Sequence, residues 1–178
     1  WGVHVPINQG INQLDDLDAS TFAISREGSG SHLMSYVLAK QRGWDPTALS
    51  FNVVGDVYGG LWALNNDEAQ GFLWEKYTTQ PFVDQGKCKR IGEVLTPWPC
   101  FVIAVRNEVL EENPRVIEQI LDIINTTTEE FKMIPSIDRT LAAKYNQKVE
   151  AIQEWLQLTR WSQKQMNTAT LNKIMEQL

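Results

Sequence analysis

The chain is poor in the residues that most metal and nucleophilic chemistry needs. Its 178 residues include two cysteines and two histidines, and no Gly-x-Ser-x-Gly. Cys88 and Cys100 stand twelve positions apart with no second pair and no neighbouring histidine, short of the four ligands of a zinc site. They read either as unpaired thiols or, in an oxidising compartment, as a disulfide. With only His4 and His32 and no nucleophile elbow, a Ser-His-Asp triad has no support. Basic charge is also scarce: 16 Lys+Arg against 22 Asp+Glu give a net charge of −6, which argues against a nucleic-acid-binding face. Apolar runs such as Pro99 to Val105 fall far short of the roughly 20 residues of a membrane-spanning helix. Asp15-Asp16 and Glu111-Glu112 are adjacent pairs that point different ways, which suits solvation better than acid and base work.

What is present is the material of a folded core. Hydrophobic residues make up 43% and aromatic residues 10% of the chain, with seven Trp, enough for one domain or two small ones. The opening Trp1-Gly-Val-His-Val-Pro6 already reads as strand, as expected of a mature fragment rather than a nascent start. Short β-leaning runs then alternate with helical patterns, the signature of an α/β sheet with helices on its faces. Strands are predicted at 21–25, 49–54, 71–75 and 90–95, with helices from Ser31 to a Gly43 C-cap and from Val57 to Asn65. The turn Pro97-Trp-Pro99 leads into a further predicted strand, Cys100 to Val105.

Beyond it the pattern changes to all-helical. Asn113-Pro114 supplies an N-cap and a first-turn proline, and Val116, Ile117, Ile120, Leu121, Ile124 and Phe131 recur at amphipathic helical spacing. Further helices are expected from Ser136 to Tyr145, Lys148 to Trp161 and Thr168 to Leu178. The sequon Asn125-Thr-Thr127 falls inside the long helix and is set aside.

The candidate site is the turn Ser25-Arg26-Glu27-Gly28-Ser29-Gly30-Ser31-His32, between a strand and a helix. Free N–H groups at a helix start suit an anionic or polar group, and glycines admit close approach. The same letters also make an ordinary N-cap and turn. Two further turns, Gly55-Asp56-Val57-Tyr58 and Trp74-Glu75-Lys76-Tyr77, follow the next two strands. In open α/β sheets such turns converge on one edge, where ligands bind. Trp74 and Tyr58 can wall a cleft and Asp56 can accept a hydrogen bond. Equally, Trp74 can be core and Asp56 an N-cap.

Ile11-Asn-Gln-Leu-Asp-Asp-Leu17 with Phe22-Ala-Ile-Ser-Arg-Glu-Gly-Ser-Gly-Ser-His32, then Gly71-Phe-Leu-Trp-Glu75, Pro99-Cys-Phe-Val-Ile-Ala-Val-Arg106 and Glu112-Asn-Pro-Arg-Val116, resemble the type II periplasmic binding proteins of ABC importers. The likeness is to the group that includes the alkanesulfonate, taurine, nitrate and thiamine-pyrimidine-precursor binding proteins. The resemblance implies two α/β lobes with a solute cleft between them, this chain lacking the N-terminal part of the first. Residues 1–105 would be the second lobe with hinge strands at both ends, and residues 106–178 C-terminal helices that pack on the first lobe. It further implies capture of a small anionic or heterocyclic solute by Arg26, Ser29, Gly30, Ser31, His32, Asp56, Tyr58 and Trp74, with no specific role for His32. No cofactor, metal or catalytic residue is implied. The partners are a small-molecule solute and a membrane permease, the location is periplasmic or extracytoplasmic, and the uncovered apolar surface favours self-association. The alternatives on the same fold are an enzyme similar to the thiamine-pyrimidine synthases or the menaquinone-route dehydratases, and a ligand-sensing receptor lobe.

Overall fold

The computed structural model describes residues 1–99, 101–162 and 166–176. The chain divides into two compact units, Trp1–Thr96 and Pro97–Leu178.

The first unit is built on five strands: β1 (Gly2–Val5), β2 (Thr21–Ile24), β3 (Ser50–Val53), β4 (Gly71–Trp74) and β5 (Lys89–Glu93), in the order β3-β2-β4-β1-β5. β2 pairs in parallel with both β3 and β4, while β1 is antiparallel to β4 and β5. Four strands therefore run one way and β1 runs against them, a mixed α/β sheet with helices on both faces. β1, β2 and β4 bury Val3, Val5, Phe22, Ala23, Ile24, Phe72 and Leu73 completely, as inner strands covered on both faces should.

The helices of this unit are α1 (Gly30–Arg42), α2 (Val57–Asn65) and α3 (Lys76–Asp84). α1 ends where Gly43 turns left-handed at φ 72° and donates back to Ala39 O and Lys40 O. Met34 and Leu38, one turn apart, seal it to the sheet. No element is expected from the sequence between the strands at 71–75 and 90–95, where the structure has α3. Pro81 lies inside α3, which starts firmly because the Glu75 carboxylate accepts from both Tyr77 N and Thr78 N.

The second unit is helical: α4 (Asn107–Glu112), α5 (Pro114–Phe131), α6 (Ile137–Tyr145), α7 (Val149–Leu158) and α8 (Thr168–Met175). Pro114 opens α5 as expected, but the Asn113 side chain makes no cap bond and turns back to Val109 O at 3.4 Å. α7 stops at Leu158, three residues before the expected end. The expected strand at 100–105 is corrected. Residues 101–105 form neither strand nor helix, and Cys100 lies outside the described residues. An apolar, β-branched run becomes a strand only when a neighbour supplies a ladder, and among the described residues none pairs with it. The proposed Cys88–Cys100 pairing likewise lies outside the described residues.

Candidate functional site

Because β2, β3 and β4 run together, their carboxyl ends Ile24, Val53 and Trp74 lie along one edge of the sheet, with Ile24 directly beside Val53. β1 starts at that edge, where Gly2 stands opposite both Trp74 and Glu93. The three predicted turns therefore do meet. Gly55 N donates to Ser25 O at 3.2 Å, tying the first turn to the second.

The first turn is held by its own side chains. Ser29 is the N-cap of α1, its hydroxyl accepting from His32 N at 3.4 Å. Ser31 is buried, its hydroxyl accepting from Ser25 N at 2.9 Å and lying 3.0 Å from the Ser29 hydroxyl. Both serines thus spend their hydroxyls on the turn. Gly28 takes φ +68°, a left-handed conformation that a side chain would strain. Gly30 is needed for another reason: the Trp1 indole lies so close to it that any side chain there would collide with the ring. Arg26 and Glu27 project from the turn, exposed, and Arg26 pairs with no carboxylate among the described residues. His32 is half-buried, with its Nδ1 accepting from Gly28 N at 2.9 Å and its ring against Phe51 and Tyr36.

In the second turn Asp56 caps α2, accepting from Gly59 N at 2.9 Å. Tyr58 is 67% exposed, with its ring edge-on to Phe82 at 5.8 Å. In the third, Trp74 is half-buried and stacks on Phe72 at 5.3 Å and 29°. Lys76 bridges to Glu93 at 3.2 Å on the same edge. Trp1 is the edge residue that sequence reasoning missed. Its contact is with a glycine 29 positions away, which no local pattern announces. The remaining sequence candidates for chemistry sit elsewhere: His4 is buried in β1, and burial pushes the Cys88 thiol up to about 11 against a lowering by Arg90. A thiol held there is almost wholly protonated at neutral pH and is a poor nucleophile.

The edge thus brings together three aromatic rings, one guanidinium without an ion-pair partner among the described residues, and a helix start. Since Ser31 serves the turn from inside, Ser31→Ala should leave Ser25 N without its acceptor and lower folding stability by about 1–2 kcal/mol. Urea unfolding reads this, and unchanged stability would mean that the hydroxyl is not spent on the turn.

Among solved structures the chain is similar to the conserved Candida albicans CA3427 gene product, described as defining a new family with the generic periplasmic binding protein fold. The identity is 24% over 92% of this chain and 54% of that one, with a TM-score of 0.80. It is also similar to the periplasmic aliphatic sulphonate binding protein SsuA from Escherichia coli, at 18% identity over 98% of this chain and 60% of that one, TM-score 0.72. A third is the zinc-bound ligand binding component of an ABC-type import system from Staphylococcus aureus, at 17% identity over 99% of this chain and 62% of that one, TM-score 0.73. The chain therefore spans between 54% and 62% of the length of these relatives. At such identities the likeness establishes the fold, that of a type II periplasmic binding protein. No curated protein matches the sequence. The sequence model of the Ca3427-like PBPs matches residues 1–94, more than half of the chain, and the protein belongs to the Ca3427-like family of periplasmic binding proteins.

Proposed function

We propose that this chain is part of the solute-binding component of an ABC importer, working outside the cytoplasm and handing its solute to a membrane permease. The reading is carried by the convergence on one sheet edge of three strand-end turns bearing Arg26, Ser29 to His32, Asp56, Tyr58 and Trp74. In this reading residues 1–105 form the second lobe and one wall of the cleft. Residues 106–178 pack on a first lobe, which also supplies the ladder partner for 101–105. The exposed stripe Val116, Ile120, Ile123 and Ile124 on α5 is then the surface that the first lobe covers. The buried serines act through the turn, so the groups that touch solute are Arg26, the Gly30 backbone N–H, Tyr58 and the exposed part of Trp74, with Trp1 beside them. An arginine without an ion-pair partner among the described residues and a helix start favour an anionic head group, and flat rings favour an apolar or heterocyclic body.

One wall leaves about half of a ligand solvated, so affinity in the millimolar range is expected of the chain by itself. Amide chemical-shift mapping reads such binding, with taurine, MOPS, nitrate and an aminopyrimidine as probes. Saturable shifts at Gly28 to Ser31, Tyr58 and Trp74 are expected with at least one anion, weakened roughly tenfold or more in Arg26→Ala. Shifts scattered elsewhere, or none with any probe, would remove the reading.

A further inference from the structure

We propose that His32 is a positioning residue, an acid-sensitive latch that holds the turn Ser25–Gly30 in shape through its neutral imidazole. In the usual capping box an N-cap Ser or Thr accepts from the backbone N–H of the third helical residue, whose Glu or Gln side chain accepts from the N-cap N–H in return. α1 builds this box with one substitution and a one-residue shift. Ser29 is the N-cap, His32 is the third helical residue, and the Ser29 hydroxyl accepts from His32 N at 3.4 Å. The return bond comes from the imidazole: Nδ1 accepts from Gly28 N, one residue before the cap, at 2.9 Å. That bond requires Nδ1 without a proton, so the ring carries its hydrogen on Nε2.

The ring is not free to swing aside. Phe51 from β3 meets it edge-on at 4.4 Å, and Tyr36, one turn further along α1, lies 5.1 Å away. His32 thereby ties the turn, the helix and the neighbouring strand together. Gly28 stands at a left-handed φ of +68° inside the tight turn that Ser29 N closes on Arg26 O at 3.2 Å. That bond shapes the turn, and the His32 imidazole gives the Gly28 N–H its acceptor.

Glu or Gln would accept at neutral pH as well as imidazole does, but only imidazole loses its acceptor under mild acid. On protonation Nδ1 becomes a donor facing the Gly28 donor, the bond breaks, and the Gly28 N–H loses its acceptor while the turn bond from Ser29 N to Arg26 O remains. β3 presents Phe51, which carries no charge. α1 presents the Tyr36 phenol, and the turn itself carries Arg26 and Glu27, both exposed. The turn is thus tied while Nδ1 is free to accept and loosened once Nδ1 carries a proton. The consequence for solute, weaker capture in acid, rests on the function proposed above, but the latch does not.

Amide hydrogen exchange tests it without any ligand. In the wild-type chain the protection of Gly28 N–H, corrected for the intrinsic pH dependence of exchange, should fall roughly tenfold from a neutral to an acidic buffer, in step with the protonation of the His32 ring read from its own resonances. The Leu73 amide in the central strand monitors global opening and should stay protected. His32→Phe keeps the packing and removes the acceptor, so Gly28 should be poorly protected at both pH values. His32→Asn places a non-titrating Oδ1 where Nδ1 stood and should restore protection at both. Gly28 protection that ignores the His32 titration in the wild type, or that survives in His32→Phe, overturns the latch. If the latch holds and none of the four probes shifts the turn, the solute reading alone fails.

Discussion

Replacing Phe72 by Ala is expected to cost about 3–5 kcal/mol of folding stability, a large share of the roughly 5–15 kcal/mol of an ordinary domain. Phe72 is fully buried in β4, the middle strand of the sheet, paired with Ala23 on one side and His4 on the other. Its ring presses on Gly60 of α2 and stacks under Trp74. Ala23, Leu61, Ala63, Leu64, Ala69 and Cys88 complete the cluster around it. These neighbours hang on β2, on α2 and on the connections that lead into β4 and β5, so they cannot close together over the space that a lost phenyl leaves. Urea unfolding should show a lower midpoint at unchanged slope, with Phe72→Leu intermediate. A loss below about 1 kcal/mol would show that the cluster relaxes freely and that β4 is not the keystone of this packing. Because Trp74 rests on Phe72, the same substitution should also loosen one wall of the candidate cleft.

The strand-helix alternation was readable because each element carries its own signals. β2 is a run of β-leaning residues, and the turn after it has the glycines and serines that a helix start requires. The bounds of α2 were legible from Asp56 before it and the apolar spacing within it. What failed was non-local or contested. α3 went unassigned, although the Glu75 carboxylate caps it and only Pro81 interrupts it. That carboxylate satisfies two N–H groups, which offsets the one helical bond that Pro81 cannot donate. Residues 101–105 have strand composition but form no ladder within the described chain, and composition says nothing of where a partner lies. The same division holds at the site. The three turns were visible as sequence, and their convergence followed from the parallel direction of β2, β3 and β4. That Ser29 and Ser31 turn inward while Arg26 stays exposed was not visible. The order of side chains in a turn depends on the close approach of Trp1, which arrives from a different strand.

His4 gives the second large effect, this time with pH. Its imidazole is fully buried, with Nδ1 3.1 Å from Phe72 O and Nε2 2.8 Å from the Thr79 hydroxyl. A carbonyl can only accept, so Nδ1 carries the hydrogen and Nε2 accepts from Thr79. Protonation is not forbidden by these partners. Thr79 can turn its hydroxyl to Glu75 O or Lys76 O, each 3.1 Å away, and accept from the imidazolium. What opposes the charge is chiefly burial, with Arg90 and the Trp1 amino group adding repulsion against the favourable bond to Phe72 O. Together they lower the pKa to about 4 from 6.5. The unfolded chain therefore binds a proton between those values that the folded chain refuses. Stability contributed by neutral His4 is complete above about pH 6.5 and declines as pH falls towards about 4, where the loss levels off at about 3 kcal/mol. Carboxylates such as Asp15 and Asp16, held low by Arg42 and by the Asn12 and Gln13 amides, lose their own contributions in acid. The comparison must therefore be made against a variant that shares them. His4→Asn keeps a donor where Nδ1–H stood and cannot take up the proton. Urea unfolding of the two proteins between about pH 7.5 and about pH 4 should show the wild type losing stability more steeply, the gap opening below about pH 6.5. Parallel curves would mean that the folded protein admits the proton at no cost, and that the Thr79 hydroxyl with nearby water solvates the imidazolium as well as bulk water does.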